Sequence, residues 1–162
     1  MDPRLLSEAA DRLAIAEVLH RYARGLDAGD ADLTLSCFSD DCVYHIAGET
    51  LRGREELRPL FGDPRSHAAR TGLDSVDGFT HTMSNIEVCI DGERASALSI
   101  VGAHVLGARD GCRLIVVRCV RYRDALVRRG VDWLIAERRH SLQWAYEVTP
   151  TAVAPHPPDL SL

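Results

Sequence analysis

The stretch LHRYARGLDAGD, residues 19–30, carries two chemically capable side chains at the end of what reads as an amphipathic helix. Tyr22 falls in the apolar stripe, where a phenol needs a hydrogen-bond partner once it is buried. Asp27 falls at the C-terminal end, where the helix dipole is negative and a carboxylate is disfavoured. Asp30 has a local explanation, as the N-cap of the segment ADLTLSCF that follows. Asp27 has none. It is either a turn residue or a side chain held there for chemistry.

Histidines supply the groups that could act with it. THTMSNIEVCIDGERASALSIVGAHVLGA reads as a long hairpin with Asp91-Gly92 as a two-residue turn. In that register Ile90 pairs with Glu93, His81 lies opposite Gly102 and Phe79 lies opposite His104. His81, Met83, Asn85, Leu98, Ile100 and His104 then share one face, with the two histidines as diagonal neighbours. A three-residue loop would turn His104 to the other face. Taken singly, each histidine reads equally as a surface or a satisfied core residue. In DWLIAERRHSLQWAYEV, Leu134, Ala136, Arg138, His140, Leu142 and Trp144 share one parity. An arginine on that more apolar face needs an acidic partner, a ligand, or a path for its head to the rim. Trp144 reads as core or as pocket wall. His45, beside Tyr44 on an early strand, is within reach of a pocket, but nothing specifies it.

The elements that must position these residues follow from pattern. Ile15, Val18, Leu19, Tyr22 and Leu26 recur at helical spacing and predict a first helix over about Ser7–Leu26, loosened at its end by Gly25 and Gly29. A short helix follows Asp30. DCVYHI and ETLRG read as two strands joined near Ala47–Gly48, and REELRPLF as a third helix ending before Gly62. Residues 63–78 are polar and are expected to form a long loop. After the hairpin, CRLIVVRCVRYRDAL and DWLIAERRHSLQWAYEV form two more long strands around RRGV. Helices first and long antiparallel strands after make an α+β pattern. A strongly bent sheet wrapped around the first helix would give a cone with a pocket inside. The expected organisation is one domain over residues 1–147 and a Pro-rich tail over 148–162.

Composition narrows the chemistry. The 162 residues suit one domain with a real core. A net charge of −5 argues against nucleic acid as a partner. The basic run RCVRYR alternates like a strand with one solvated face. No apolar run reaches the roughly 20 residues of a membrane span, and MDPRLLSEAADR lacks a secretory h-region, so a cytoplasmic protein is expected. Five cysteines, an odd number without CxxC spacing, argue against a disulfide framework or structural zinc and suggest small buried apolar residues. All 19 basic residues are arginine. Without lysine, Schiff-base, pyridoxal phosphate and P-loop chemistries are excluded. GxSxG, GxGxxG and HExxH are absent, the histidines and acids lack compact metal-ligand spacing, and neither metal nor cofactor is expected.

Together, AIAEVLHRYARGLDAGDADLTLSCFSDDCVYHI…LRG, THTMSN, IDGERASALS and DWLIAERRHSLQW resemble SnoaL-like proteins of the nuclear transport factor 2-like superfamily, over roughly residues 8–147. The Tyr-x4-Asp pair followed by a strand-borne histidine is fairly specific for this branch, whose enzymes include bile-acid 7α-dehydratases, scytalone dehydratase, lindane dehydrochlorinase and polyketide cyclases. The resemblance implies an α+β cone of helices in a curved antiparallel sheet around a deep hydrophobic pocket. It implies His81 as acid/base, with Asp27 on its other ring nitrogen, and Tyr22 as a donor to a developing enolate or leaving oxygen. Arg138 would hold an anionic group or pair with Asp27. His104, where the bile-acid enzymes carry an acid, would return the proton. Tyr44, Met83, Asn85, Ile100 and Trp144 would line the pocket. Tyr22 stands in place of the dehydrochlorinase's lysine, which disfavours that reaction. The implied activity is cofactor-independent dehydration, with isomerisation or cyclisation as neighbours, on a hydrophobic ring-containing molecule such as a polyketide, steroid or terpenoid intermediate. The alternative is a non-catalytic binding or assembly subunit like the small subunit of ring-hydroxylating dioxygenases. A homodimer or homotrimer is expected, since curved sheets of this family pack against a copy.

Overall fold

The computed structural model describes residues 2–152; most of the expected tail, 153–162, lies outside them. Helix α1, Pro3–Ala28, starts earlier than periodicity alone suggests because Asp2 accepts a hydrogen bond from the Arg4 N–H and Pro3 opens the first turn. Its buried stripe is the expected one: Ile15, Val18, Leu19, Tyr22 and Leu26. It closes on Gly29, whose φ of 65° is the left-handed conformation of a helix terminus. Helix α2, Ala31–Leu35, follows with Asp30 as its cap, accepting from the Leu33 N–H at 2.8 Å. The two helices meet at Gly25, where a Cβ would stand 2.8 Å from the Thr34 backbone nitrogen.

Strand β1, Phe38–Ile46, and strand β2, Glu49–Arg52, form the short hairpin, and α3, Gly53–Gly62, packs back across β1. The segment expected to be a loop ends in strand from Ser75 and is half helical: α4 spans Pro64–Thr71. Asp63 caps it by accepting from the Arg65 N–H, Pro64 opens it, and Gly72 closes it with φ 68°. Its start and stop signals are therefore complete. What it lacks is an apolar stripe, which is why periodicity missed it.

Four long strands complete the chain: β3, Ser75–Asp91; β4, Arg94–Arg109; β5, Cys112–Arg129; and β6, Asp132–Val148. The sheet order is β2-β1-β6-β5-β4-β3, with β1 parallel to β6 and every other pair antiparallel. The sheet stays open, with β2 and β3 as its edges. The helices cover one face, and α1 packs chiefly on β3. The main core lies between them, built from the α1 stripe, Phe38, Tyr44, Leu57, Phe61, Val101, Val120, Leu126 and Ile135. No helix among the described residues is long and apolar enough to cross a membrane.

The β3–β4 hairpin differs from expectation in two ways. Its turn is Gly92-Glu93, with Asp91 opposite Arg94 and Ile90 opposite Ala95. That displacement of two residues leaves the faces unchanged. A β-bulge between Ser84 and Glu87 then changes them, with Asn85 held at φ 50°. Ile86, Val88 and Ile90 face the helices on one side of the bulge, and His81 and Met83 do so on the other. The cysteines also divide: Cys37 and Cys42 are buried, while Cys89 and Cys112 are exposed on the sheet, against the expectation of burial throughout.

The α1–α2 contact at Gly25 gives a direct check. Gly25→Ala forces a methyl group onto the Thr34 backbone, and such overpacking costs about 1–3 kcal/mol. A urea unfolding curve should show that loss, with the midpoint lowered and the slope unchanged.

Candidate active site

Asp27 spans the gap between the end of α1 and the edge strand β3. Its Oδ1 stands 2.6 Å from His81 Nδ1, and its Oδ2 accepts a hydrogen bond from the His81 backbone N–H at 3.1 Å. An edge strand leaves half of its N–H groups without a strand partner, and Asp27 satisfies one of them while holding the imidazole of the same residue. An ionised carboxylate only accepts, so Nδ1 is the donor in this contact, and the neutral tautomer it selects is the one with the lone pair on Nε2. The His81 side chain is 9% exposed and that of Asp27 31%. This arrangement accounts for the carboxylate at the wrong end of a helix: His81, brought from 54 residues away, is its partner.

His81 lines a cleft in the concave side of the sheet whose empty space, mouth included, is about 540 Å³. One wall is phenolic. The Tyr22 and Tyr44 hydroxyls lie 3.3 Å apart, and Tyr122 packs edge-on to Tyr22 with ring centroids 5.9 Å apart. Burial pushes all three phenols above the ordinary tyrosine range, so each keeps its proton at neutral pH. His67 from α4 packs against Phe79 at a tilt of 56°, near the His81 ring, and His140 from β6 lies beside Tyr122.

Several expected site residues lie elsewhere. Arg138 is fully buried beneath the cleft and does not line it. Its guanidinium makes two 2.7 Å bonds to Asp124, not to Asp27. The rings of Tyr22 and Tyr122 cover it at 4.1 and 4.2 Å. His104 is exposed opposite Thr80, on the face away from His81, because the Asn85 bulge reverses the parity between turn and histidine. Asn85 is the exposed residue of that bulge, and Ile100, opposite Ser84, faces outward with His104. Met83 shares the His81 face but packs into the core rather than the cleft. Trp144 is 56% exposed and stacked on Tyr146. A second bulge, where Leu142 pairs with Val120 but Trp144 pairs with Cys119, turns it off the inner face. His45 bonds Thr50 and Glu137 outside the cleft. Of the expected set, His81, Asp27 and Tyr22 come together, with Tyr44 beside them.

The cleft also holds residues that the sequence reading passed over: Phe61, His67, Arg118, Tyr122 and His140. A signal existed for three of them. In RCVRYR the solvated face is Cys119, Arg121 and Arg123, and the remaining parity, Arg118, Val120 and Tyr122, is the inner one. His140 shares the parity of Arg138. His67 had no signal, because its segment was not recognised as a helix.

Burial, reinforced by nearby cationic groups, lowers both His67 and His140 from an ordinary imidazole's 6.5 to about 4. Each is therefore neutral in the folded protein at neutral pH. The unfolded chain binds their protons more readily, so their contribution is complete above pH 6.5 and is lost as pH falls towards 4. Urea midpoints should decline between pH 7 and 4.5, and the variant carrying His67→Gln and His140→Gln should show a flatter decline over that range.

The chain matches the family model of the SnoaL-like domain over residues 7–139. No curated protein gives a significant match. Among solved structures, a provisionally named aromatic ring hydroxylase from Novosphingobium aromaticivorans superposes with a TM-score of 0.72 at 22% identity, covering 86% of this chain and 94% of that one. A provisionally named scytalone dehydratase from the same organism gives 0.71 at 18% identity, covering 92% and 95%. The hexachlorocyclohexane dehydrochlorinase LinA-type3 from Novosphingobium barchaimii gives 0.75 at 17% identity, covering 93% and 98%. At these identities the likeness is one of fold. With a model match spanning most of its length, the chain belongs to the SnoaL-like domain family.

Proposed function

We propose that the protein is a cofactor-independent acid/base enzyme that dehydrates a hydrophobic, ring-containing small molecule, with His81 as the base. The observation that carries this reading is the 2.6 Å contact of Asp27 with His81 Nδ1, made while His81 lines the cleft. It leaves Nε2 as the basic nitrogen. Asp27 holds the tautomer and stabilises the imidazolium that forms on proton transfer. A positioned base of this kind contributes roughly 10²–10⁴ in rate.

The step balances without an added reagent. His81 Nε2 takes a proton from the carbon beside an electron-withdrawing group. The released electron pair forms a carbon–carbon double bond as the C–O bond breaks. The departing hydroxide takes the proton back from the imidazolium and leaves as water. Of the hydrogen-bonded Tyr22 and Tyr44 hydroxyls, both kept protonated by burial, one donates to the other, and the remaining O–H donates to the oxygen on which charge develops. With His104 on the outer face, the return of the proton falls to His81 itself. Isomerisation and ring closure use the same base and donors on a substrate without a leaving hydroxyl. An imidazole held in one tautomer where it lines a cleft favours this reading over a binding or assembly subunit.

Self-association belongs to the same proposal. Trp144, Tyr146 and Val148 are all exposed on the outer face along the end of β6, an apolar face of the sort that marks an interface. We propose a homodimer or homotrimer, acting in the cytoplasm, where free cysteines persist.

His81→Ala and Asp27→Asn should each fold and bind ligand while losing at least a hundredfold in kcat on the true substrate. Near-full turnover by both variants would remove His81 from the role of base.

A further inference from the structure

The far end of the cleft holds a charge that the acid/base reading does not use. Arg118, on β5, is half-buried and lines the cleft. Among the described residues it has neither a carboxylate partner nor a side-chain hydrogen bond. Three other sheltered arginines are paired: Arg138 holds Asp124, Arg128 holds Asp11 and Arg109 holds Glu147. Arg121, like Arg118, lacks a partner among the described residues, but it lies on the opposite face of β5, away from the cleft. Taking a guanidinium out of water without a counter-charge is costly. Burial and the nearby Arg70 both depress the Arg118 pKa. Arg70 itself leans on Glu49 at 3.3 Å.

The register places this charge relative to the base. His81 pairs with Ala103, and Ala103 pairs with Arg118. The three form one inward-facing row across β3, β4 and β5. Two successive antiparallel pairings separate the His81 and Arg118 Cα atoms by about 10 Å. The residue between them is an alanine, which leaves the space over the row open. Beyond Arg118 the cleft continues into a groove with about 470 Å³ of empty space, mouth included, lined by Arg70, Arg118, Leu142 and Ala145. Glu147, also on that groove, is committed to Arg109.

We propose that Arg118 is a substrate-anchoring residue, and that the substrate of this cleft is a cyclic carboxylic acid whose carboxylate rests on Arg118 while its ring lies over Ala103 towards His81. The planar guanidinium fork matches a carboxylate in two-bond geometry. His140, neutral and nearby, adds a polar contact without adding a competing charge. The proposal rests on the reading of His81 as the base only for the direction in which the ring points. The anchor itself is measured separately.

The test uses 2-naphthoate and its neutral isostere 2-naphthamide, titrated calorimetrically at pH 7.5 into the full chain. The unsubstituted protein should bind the acid at least tenfold more tightly than the amide. Arg118→Gln should bind the two equally, with the amide unaffected. Arg118→Lys should keep part of the preference, and thermal melts should show both variants folded. His81→Ala should keep the whole preference, so loss of turnover in that variant and loss of the acid preference report on different claims. Equal binding of acid and amide by the unsubstituted protein, failure of both to bind, or a preference that survives Arg118→Gln would each overturn the anchor.

Discussion

One buried guanidinium organises the core beneath the cleft. Arg138 joins β6 to β5 through two bonds to Asp124, and both groups are removed from water. Such a pair survives burial only when its geometry is tight and its other faces are well covered. Here the cover is aromatic: Tyr22 from α1, Tyr122 from β5 and Phe38 from β1 surround the guanidinium carbon. Nη1 has no hydrogen-bond partner among the described residues. Attraction to Asp124 keeps the Arg138 pKa well above its usual value despite burial. Helix and sheet are therefore locked at a single point, and the Tyr22 hydroxyl is carried to within 3.3 Å of that of Tyr44.

The cleft above inherits its order from that lock. Tyr22 is fixed by the cation beneath it, and five residues later the same helix delivers Asp27 to the sheet edge. Because the backbone N–H of His81 fixes the same carboxylate that holds its ring, the imidazole cannot swing without breaking its bond to an anchored partner. Such preorganisation makes a base effective, since little needs to rearrange as charge develops. The phenols, the imidazole and the Arg118 guanidinium then occupy successive parts of one cavity. Four elements set them: α1 and β1 for two of the phenols, β3 for the base, and β5 for both the third phenol and the cation.

Much of the scaffold was legible in the chain. The α1 stripe, the Asp30 cap, the short β1–β2 hairpin and the four long strands follow from spacing and turn chemistry, which act within a few residues. The part of the site carried by α1 was legible too, because Asp27 violates a local rule and such violations gather where function is served. The α4 helix was not legible from periodicity, since it has caps but no apolar stripe. Its His67 went unseen for the same reason.

By itself, then, the sequence determined the class of fold, the family, and the identity of the carboxylate and histidine that meet. Local dihedral preferences and the SnoaL-like motif residues suffice for those. Only the tertiary structure decided which face each strand residue occupies. Period-two alternation is read by counting, and a single bulge shifts the count by one. The bulge at Asn85 sent His104 and Ile100 outward, and the bulge near Gln143 did the same to Trp144. Nor can counting say which acid a buried arginine meets. Asp124 and Asp27 were both available in sequence, and the pairing of β5 with β6 gave Arg138 the first while leaving the second for His81.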